Sequence, residues 1–294
     1  MIDVDVARTF LTVAETSSFQ LAAQRLNVTQ STISARIRVL EERLGRRLFE
    51  RSRMGAALTA HGRAFKRYAA AIVHAWEEGR RMAASDAVGG DRLAVGGEHD
   101  LWARMLAQWL LELSAQFPAG RLTAVAADVE NLMEGIRQLR LDLAVMHKCP
   151  DADDLSAEQL MEDEHVLVTT DPSGVFHDRY VEIVWPLDAE SVAQRDRFIS
   201  EPARTRINLG FSTISYLVIS QGAGYLPRRL VDPYIDAGHF HVVEDAPVFH
   251  SSVYLVRRAE EESAAMKQAT DILKDVARLA DRGELPPPFW SGVH

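Results

Sequence analysis

Residues 18–44 admit few folds. Apolar side chains recur at Phe19, Ala22, Ala23 and Leu26, Asn27-Val28-Thr29 interrupts, and the repeat resumes at Ile33, Ile37, Leu40 and Leu44. Both runs have helical spacing, so the pattern predicts two helices joined by a three-residue turn. Ser18 and Thr29 suit their N-caps, and Gly45 suits the stop of the second. An earlier helix carries Val6, Phe10, Val13 and Ala14 and ends before Ser17-Ser18. This is the layout of a helix-turn-helix. The second of the paired helices turns Gln30, Ser31, Ser34, Arg36 and Arg38 away from its apolar stripe. Gln and Arg make bidentate contacts to base edges, and Ser donates or accepts. An ordinary solvated face would carry the same residue types. Leu48 to Thr59 then reads as two extended pieces around a Gly-containing turn, a wing.

Charge bears on the same point. Residues 1–70 hold twelve basic side chains against six acids, a net of +6, which leaves −15 for the remainder of a chain whose total is −9. A basic head on an acidic body suits a phosphate-binding module joined to a non-binding one. On charge alone, a chance cluster of solvated arginines fits as well. The 47% hydrophobic and 26% charged content excludes a disordered chain, and the 294 residues suit two domains. No apolar run reaches the ~18 residues of a membrane span. Acids stand at Asp3 and Asp5, where an export signal would be basic, and Cys149 is the single cysteine. The expectation is a cytoplasmic protein with no membrane partner.

With these features in place, the first 65 residues closely resemble the winged helix of the LysR-type transcriptional regulators. The resemblance is carried by Phe10-Leu11-Thr12-Val13-Ala14-Glu15, Ala22-Ala23-Gln24-Arg25-Leu26, Val28-Thr29-Gln30-Ser31, Leu40-Glu41-Glu42-Arg43-Leu44-Gly45 and Leu48-Phe49-Glu50-Arg51. It implies double-stranded operator or promoter DNA as partner. Base reading would fall to the start of the third helix and phosphate contact to the wing, giving Thr29, Gln30, Ser31, Ser34, Arg36, Arg38, Arg51 and Arg53 as candidates. Ser31 stands where many members have Pro, and Ala35-Arg36 where many have Arg-Gln, so the half-site sequence does not carry over.

From Thr59 to about Ser85 one long helix is expected. Phe65, Ala69, Ile72, Trp76, Gly79 and Ala83 follow alternating steps of four and three, the repeat of a coiled-coil seam. The seam predicts a homodimer or homotetramer, with Phe65, Ala69, Ile72, Trp76 and Gly79 in the interface. Packing of this helix on its own domain is the alternative. Asp86 to Asp91 reads as a hinge.

The remaining chain alternates strands (92–95, 122–126, 142–146) with helices (101–117, 129–139), which implies a parallel sheet covered on both faces. Further strands are expected at 165–169, 180–184, 207–209 and 253–256, and helices at 213–221 and 260–281. By resemblance this region is the family's effector-binding domain, a two-subdomain α/β fold similar to type 2 periplasmic binding proteins. Leu101-Trp102, Met105-Leu106, Gln108-Trp109-Leu110 and Tyr225-Leu226-Pro227 resemble the branch that represses the flagellar master operon, a hint of lineage and not of target genes. The expected division is 1–58 for the winged helix, 59–91 for linker and dimerisation helix, and 92–294 for the effector domain. Within the last, subdomain I covers about 92–162 and 266–294, and subdomain II about 163–265.

No His-Glu-x-x-His, Gly-x-Ser-x-Gly or phosphate loop appears, so neither enzyme nor cofactor is expected. Ligands of parallel sheets sit beyond the carboxyl ends of strands. There the chain carries Glu98, His99 and Asp100, then His147 and Cys149, and with Trp102 and Asp128 these are the candidates for lining a small-molecule effector site. A metal at these residues is weighed and set aside because their spacing is irregular. Two acids where the family commonly has Ser or Thr predict exclusion of carboxylates and favour a neutral or cationic effector; alternatively the acids only favour a helix N-terminus. The resulting reading is a LysR-type regulator with possible contact to RNA polymerase; the rival is a cytoplasmic α/β ligand-binding or enzymatic protein whose helical head serves oligomerisation.

Overall fold

The computed structural model describes residues 3–52, 55–83, 92–117, 121–259 and 263–286, with backbone alone at 51–52, 78 and 81–83. The expected hinge at 86–91, Arg53 and the tail beyond residue 286 lie outside the described residues. Two compact units emerge, residues 1–90 with 134–141, and 91–133 with 142–294.

The first unit contains α1 (Val4–Thr16), α2 (Phe19–Arg25), α3 (Gln30–Leu44), β1 (Phe49–Ser52), β2 (Gly55–Leu58) and α4 (Ala60–Ala83). The caps fall where the sequence places them. Ser18 Oγ accepts from Leu21 N–H at 3.3 Å and Thr29 Oγ1 from Thr32 N–H at 3.2 Å. Gly45 ends α3 at φ +63°, a left-handed conformation that side chains disfavour. β1 and β2 pair antiparallel with Phe49 opposite Leu58, forming the wing. Glu41 Oε1 fastens its base by accepting from the backbone N–H of Leu48 (2.7 Å) and Phe49 (3.1 Å). The core gathers Phe10, Ile33, Ile37 and Leu40, with the Phe10 ring 5.2 Å from both Phe49 and Phe65.

That core corrects the expected dimer seam. Ala69 is completely buried within the head, and Phe65 and Ile72 pack against the same cluster. α4 packs along α1 as far as Glu77, whose Oε1 accepts from Arg8 Nη2 at 3.2 Å. A 3.5-residue repeat does not distinguish a partner chain from a neighbouring helix, and here the neighbour is α1. Trp76, 55% exposed, and Gly79 remain uncovered.

The second unit comprises β3 (Leu93–Gly97), α5 (Met105–Ser114), β4 (Leu122–Ala126), the start of α6 (Val129–Arg137, which passes into the first unit at Glu134), β5 (Leu143–Met146), β6 (Leu155–Thr169), β7 (Val181–Ile183), α7 (Ala189–Ile199), β8 (Thr205–Ile207), α8 (Ser212–Ser220), β9 (Ala223–Pro227), α9 (Arg228–Asp236), β10 (His241–Val242), β11 (Phe249–Arg258) and α10 (Ala264–Asp281). β3 pairs parallel with β4 and β5, as the β-α-β-α-β order requires. The long antiparallel pair β6 and β11 continues this sheet toward β9 and β10. The sheet is therefore mixed. One core lies under α5 and α10, where buried Trp109 donates Nε1–H to Ala269 O at 2.9 Å; another, including Val166, Ile214, Leu226 and Leu230, lies under α8 and α9.

The helix expected at 101–117 breaks. Leu101–Ala103 forms a 3₁₀ turn, Arg104 departs from helical geometry at φ −139°, and α5 starts at Met105. The Arg104 guanidinium bonds the carbonyl oxygens of Arg229 (2.6 Å) and Leu285 (2.5 Å). These contacts from remote segments outweigh the local helical pattern.

Candidate functional site

In the head, α3 offers its start to solvent. Thr29, Gln30, Ser31 and Arg38 are exposed and Ser34 is half-buried. Ser31, Ser34, Ala35, Arg38 and Arg47 lie along a concave groove of about 620 Å³ beside the wing. Thr29 is occupied by its cap and by contacts at 2.8 Å to the hydroxyls of Ser31 and Thr32. Arg36 departs from the expected set. Its guanidinium turns to α1, donating to Thr9 Oγ1 at 3.1 Å and lying 3.8 Å from Asp5, because its position on α3 faces the crossing helix. Arg51 has its backbone in β1 opposite Ala56.

In the second unit a cavity of about 220 Å³ opens at the ends of β3 and β5. It is lined by Glu98, His99, Asp100, Asp128 and His147 together with Trp185, Asn208, Gly210 and Thr213. Gly210, at φ +53°, lets the backbone approach His99, whose Cβ would be 2.9 Å from any side-chain carbon added there. Thr213 Oγ1 is buried with no partner among the described residues. Two expected lining residues are elsewhere. Cys149 is exposed beyond the strand end and is not among the lining residues, and Trp102 packs inward, donating Nε1–H to Gly97 O at 3.1 Å.

From this lining, a charged network joins three expected residues, Glu98, Asp100 and His147, to two that the sequence did not mark, Asp163 and Arg229. Glu98 Oε2 accepts from the His147 backbone N–H at 2.6 Å and lies 3.1 Å from Nδ1. His147 Nε2 is 3.1 Å from Asp163 Oδ2. Arg229 donates Nε–H to Asp163 Oδ1 and Nη2–H to Asp100 Oδ2, both at 2.6 Å. Burial opposes the charged form of His147. Hydrogen bonds to Asp163 and Glu98 and the field of Asp100 outweigh it and push its pKa up to about 10. Burial likewise opposes ionisation of Asp163 and Glu98, yet Arg229 and His147 hold the first, and His147 the second, below their ordinary values. His165, next along β6, is pulled down to about 4 by burial and so stays neutral at pH 7.

The expected repulsion of carboxylate effectors therefore loses its basis. Glu98 and Asp100 face compensating cations within the protein, so they do not present bare negative charge to the cavity.

Residues 4–63 match the bacterial regulatory helix-turn-helix proteins of the lysR family, and residues 87–173 match the LysR substrate-binding domain. The chain belongs to the LysR family of transcriptional regulators. It is 32% identical over 191 residues to the HTH-type transcriptional regulator HdfR of Escherichia coli, covering 64% of this chain and 68% of that one. That relationship agrees with the branch resemblance of the effector region. Among solved structures, ArgP of Mycobacterium tuberculosis superposes with a TM-score of 0.63 at 21% identity, over 94% of this chain and 98% of the other. Full-length LysG of Corynebacterium glutamicum with bound effector Arg gives 0.62 at 20%, with the same coverage. These two likenesses are of fold. The regulator thus joins a helix-turn-helix head to an α/β effector-binding domain, and among the described residues no helix is long and apolar enough to cross a membrane.

Proposed function

We propose that the regulator reads duplex DNA through the start of α3 and answers to a small molecule held in the cleft between Glu98–His99 and Asn208–Thr213. The polar start of α3, standing free beside the wing, carries the first half of this reading. Gln30, Ser31, Ser34 and Arg38 reach base edges, while Thr29 shapes the helix start and Arg51 and Arg53 of the wing take phosphates. Residues 1–58 are then the DNA-binding domain, 59–91 the linker and dimerisation segment, and 92–294 the effector domain, its subdomain II running from about 163 to 265. The regulator works in the cytoplasm, contacts RNA polymerase at its promoters and performs no catalysis, a reading supported by the engagement of Glu98, Asp100 and His147 in the buried network.

Gln30→Ala should cost roughly 1–3 kcal/mol at one base position of the operator. Arg51→Ala should weaken all sequences alike and flatten the salt slope by about one unit. Selection of binding sites from a random DNA pool checks both. An unchanged site preference in Gln30→Ala would remove α3 as the reading helix.

Assembly follows from the part of α4 that its own head leaves uncovered. Trp76→Glu places a charge where an apolar ring meets a second copy, so light scattering should report monomers in place of dimers or tetramers. Unchanged mass would place the interface in the effector domains. Ile72 is unsuited to this test, because it packs against the head core.

A further inference from the structure

We propose that Asp100, His147 and Asp163 form a binding site for a divalent transition-metal ion of the zinc and cobalt type, set in the inner wall of the effector cleft. The oxygen and nitrogen atoms these three residues offer all lie within 4.8 Å of one another. His147 Nε2 is 3.1 Å from Asp163 Oδ2 and 3.7 Å from Asp100 Oδ2. An ion with bonds of about 2.0–2.2 Å in tetrahedral geometry holds its donor atoms about 3.3–3.6 Å apart, between those two distances. The donors are therefore already spaced for an ion and need little movement to close on it.

The surroundings are those of a metal-binding histidine. Glu98 Oε2 sits 3.1 Å from Nδ1, and a carboxylate on the far ring nitrogen fixes the imidazole with Nε2 turned toward the ion. Arg229 occupies Asp163 Oδ1, and Oδ2 meets only His147 Nε2 among the described contacts, the pair that the ion would bridge. The bond from Arg229 to Asp100 takes one lone pair of Oδ2, the oxygen 3.7 Å from His147 Nε2, and leaves the other lone pair of that oxygen to the ion. The ion takes the place of the proton that His147 Nε2 shares with Asp163 Oδ2 at 3.1 Å, and it stands among the carboxylates of Asp100 and Asp163 with the Arg229 guanidinium behind them. Two openings reach the cluster. The cleft of about 220 Å³ touches Asp100 and His147, and a second cavity of about 250 Å³ touches Asp163 and Arg229. Either supplies an entry path and space for a water as fourth ligand, the arrangement of an open site.

The choice of His and two Asp, with no thiolate, suits ions that accept nitrogen and oxygen donors together, and the site is too small in oxygen count for calcium. The test uses untagged, full-length protein stripped with chelator and titrated with Co²⁺ alone. Intense visible ligand-field bands of tetrahedral Co²⁺ should saturate at one equivalent per chain and be displaced by Zn²⁺. His147→Gln and, separately, Asp100→Asn should abolish the bands with the far-ultraviolet dichroism preserved. Glu98→Gln should keep the bands and weaken affinity about 10–100-fold, since that residue orients the ligand without touching the ion. Absence of bands in the wild type, or equal bands in His147→Gln and Asp100→Asn, overturns the site. Should the variants fail to fold, the wild-type stoichiometry and spectrum decide alone, an octahedral aqua-like spectrum counting against it. Regulation by the ion rests on the effector-cleft reading and is measured apart, as operator affinity with and without Zn²⁺. Intact bands with unchanged operator affinity support the site and reject the ion as effector.

Discussion

Arg229→Ala should lower the unfolding free energy of the effector-binding unit by about 3–5 kcal/mol, measured by urea denaturation of the chelated protein. The side chain is 2% exposed and spends its guanidinium inside the protein. Nε and Nη2 each meet a carboxylate at 2.6 Å, and Nη1 meets the Asp100 carbonyl at 3.2 Å. Truncation leaves Asp100 and Asp163 buried with His147 as their remaining cation and opens a cavity as well. Removing one partner of a buried pair costs far more than the pair contributes, because the abandoned charge has no water to return to. A second substitution separates charge from volume. Adding Asp163→Asn to Arg229→Ala removes one uncompensated carboxylate and should recover part of the loss, whereas a packing defect alone would gain nothing from it. A loss below about 1 kcal/mol in Arg229→Ala would mean that the network contributes no more than an exposed ion pair does.

The same residues show what the sequence conceals. Met161, Asp163 and His165 alternate inward along β6, with Glu162 exposed and Glu164 half-buried between them. The alternation that marks a half-buried strand was therefore present, but two of its inward positions are ionisable and read as polar. The strand was expected only from His165, ten residues after its start at Leu155. Arg229 gave no signal either, since it is the second residue of a nine-residue helix directly after a strand and contacts residues 66 and 129 positions away in the chain. Glu98, Asp100 and His147 were legible because parallel strands bring their carboxyl ends together, a rule of topology that needs no knowledge of partners. What each residue does there depended on partners from β6 and α9. The head was read more fully, since caps, stripe and break are all local. Two expectations change in the head: Arg36 turns to α1, and Phe65, Ala69 and Ile72 pack on the head core, because a stripe that packs on α1 has the spacing of one that packs on another chain.

Phe10→Ala offers the sharpest test of that head. The ring is completely buried, 5.2 Å from Phe49 of the wing and from Phe65 of α4, so one side chain joins three elements. Truncating a buried phenylalanine costs about 3–5 kcal/mol through lost transfer energy and the cavity left behind. A unit of this size holds only about 5–10 kcal/mol in total, so roughly half of its stability should go. The core clusters of the second unit contain none of the residues of the head core. Calorimetry should therefore find the head transition shifted down by tens of degrees and that of the effector-binding unit in place. Operator binding should weaken with the folded fraction of the head as temperature rises, while Co²⁺ titration of the cleft stays as in the wild type. A single transition that moves as a whole would show instead that the two units unfold as one, and that the DNA-reading helix owes its stability to more than the cluster around Phe10.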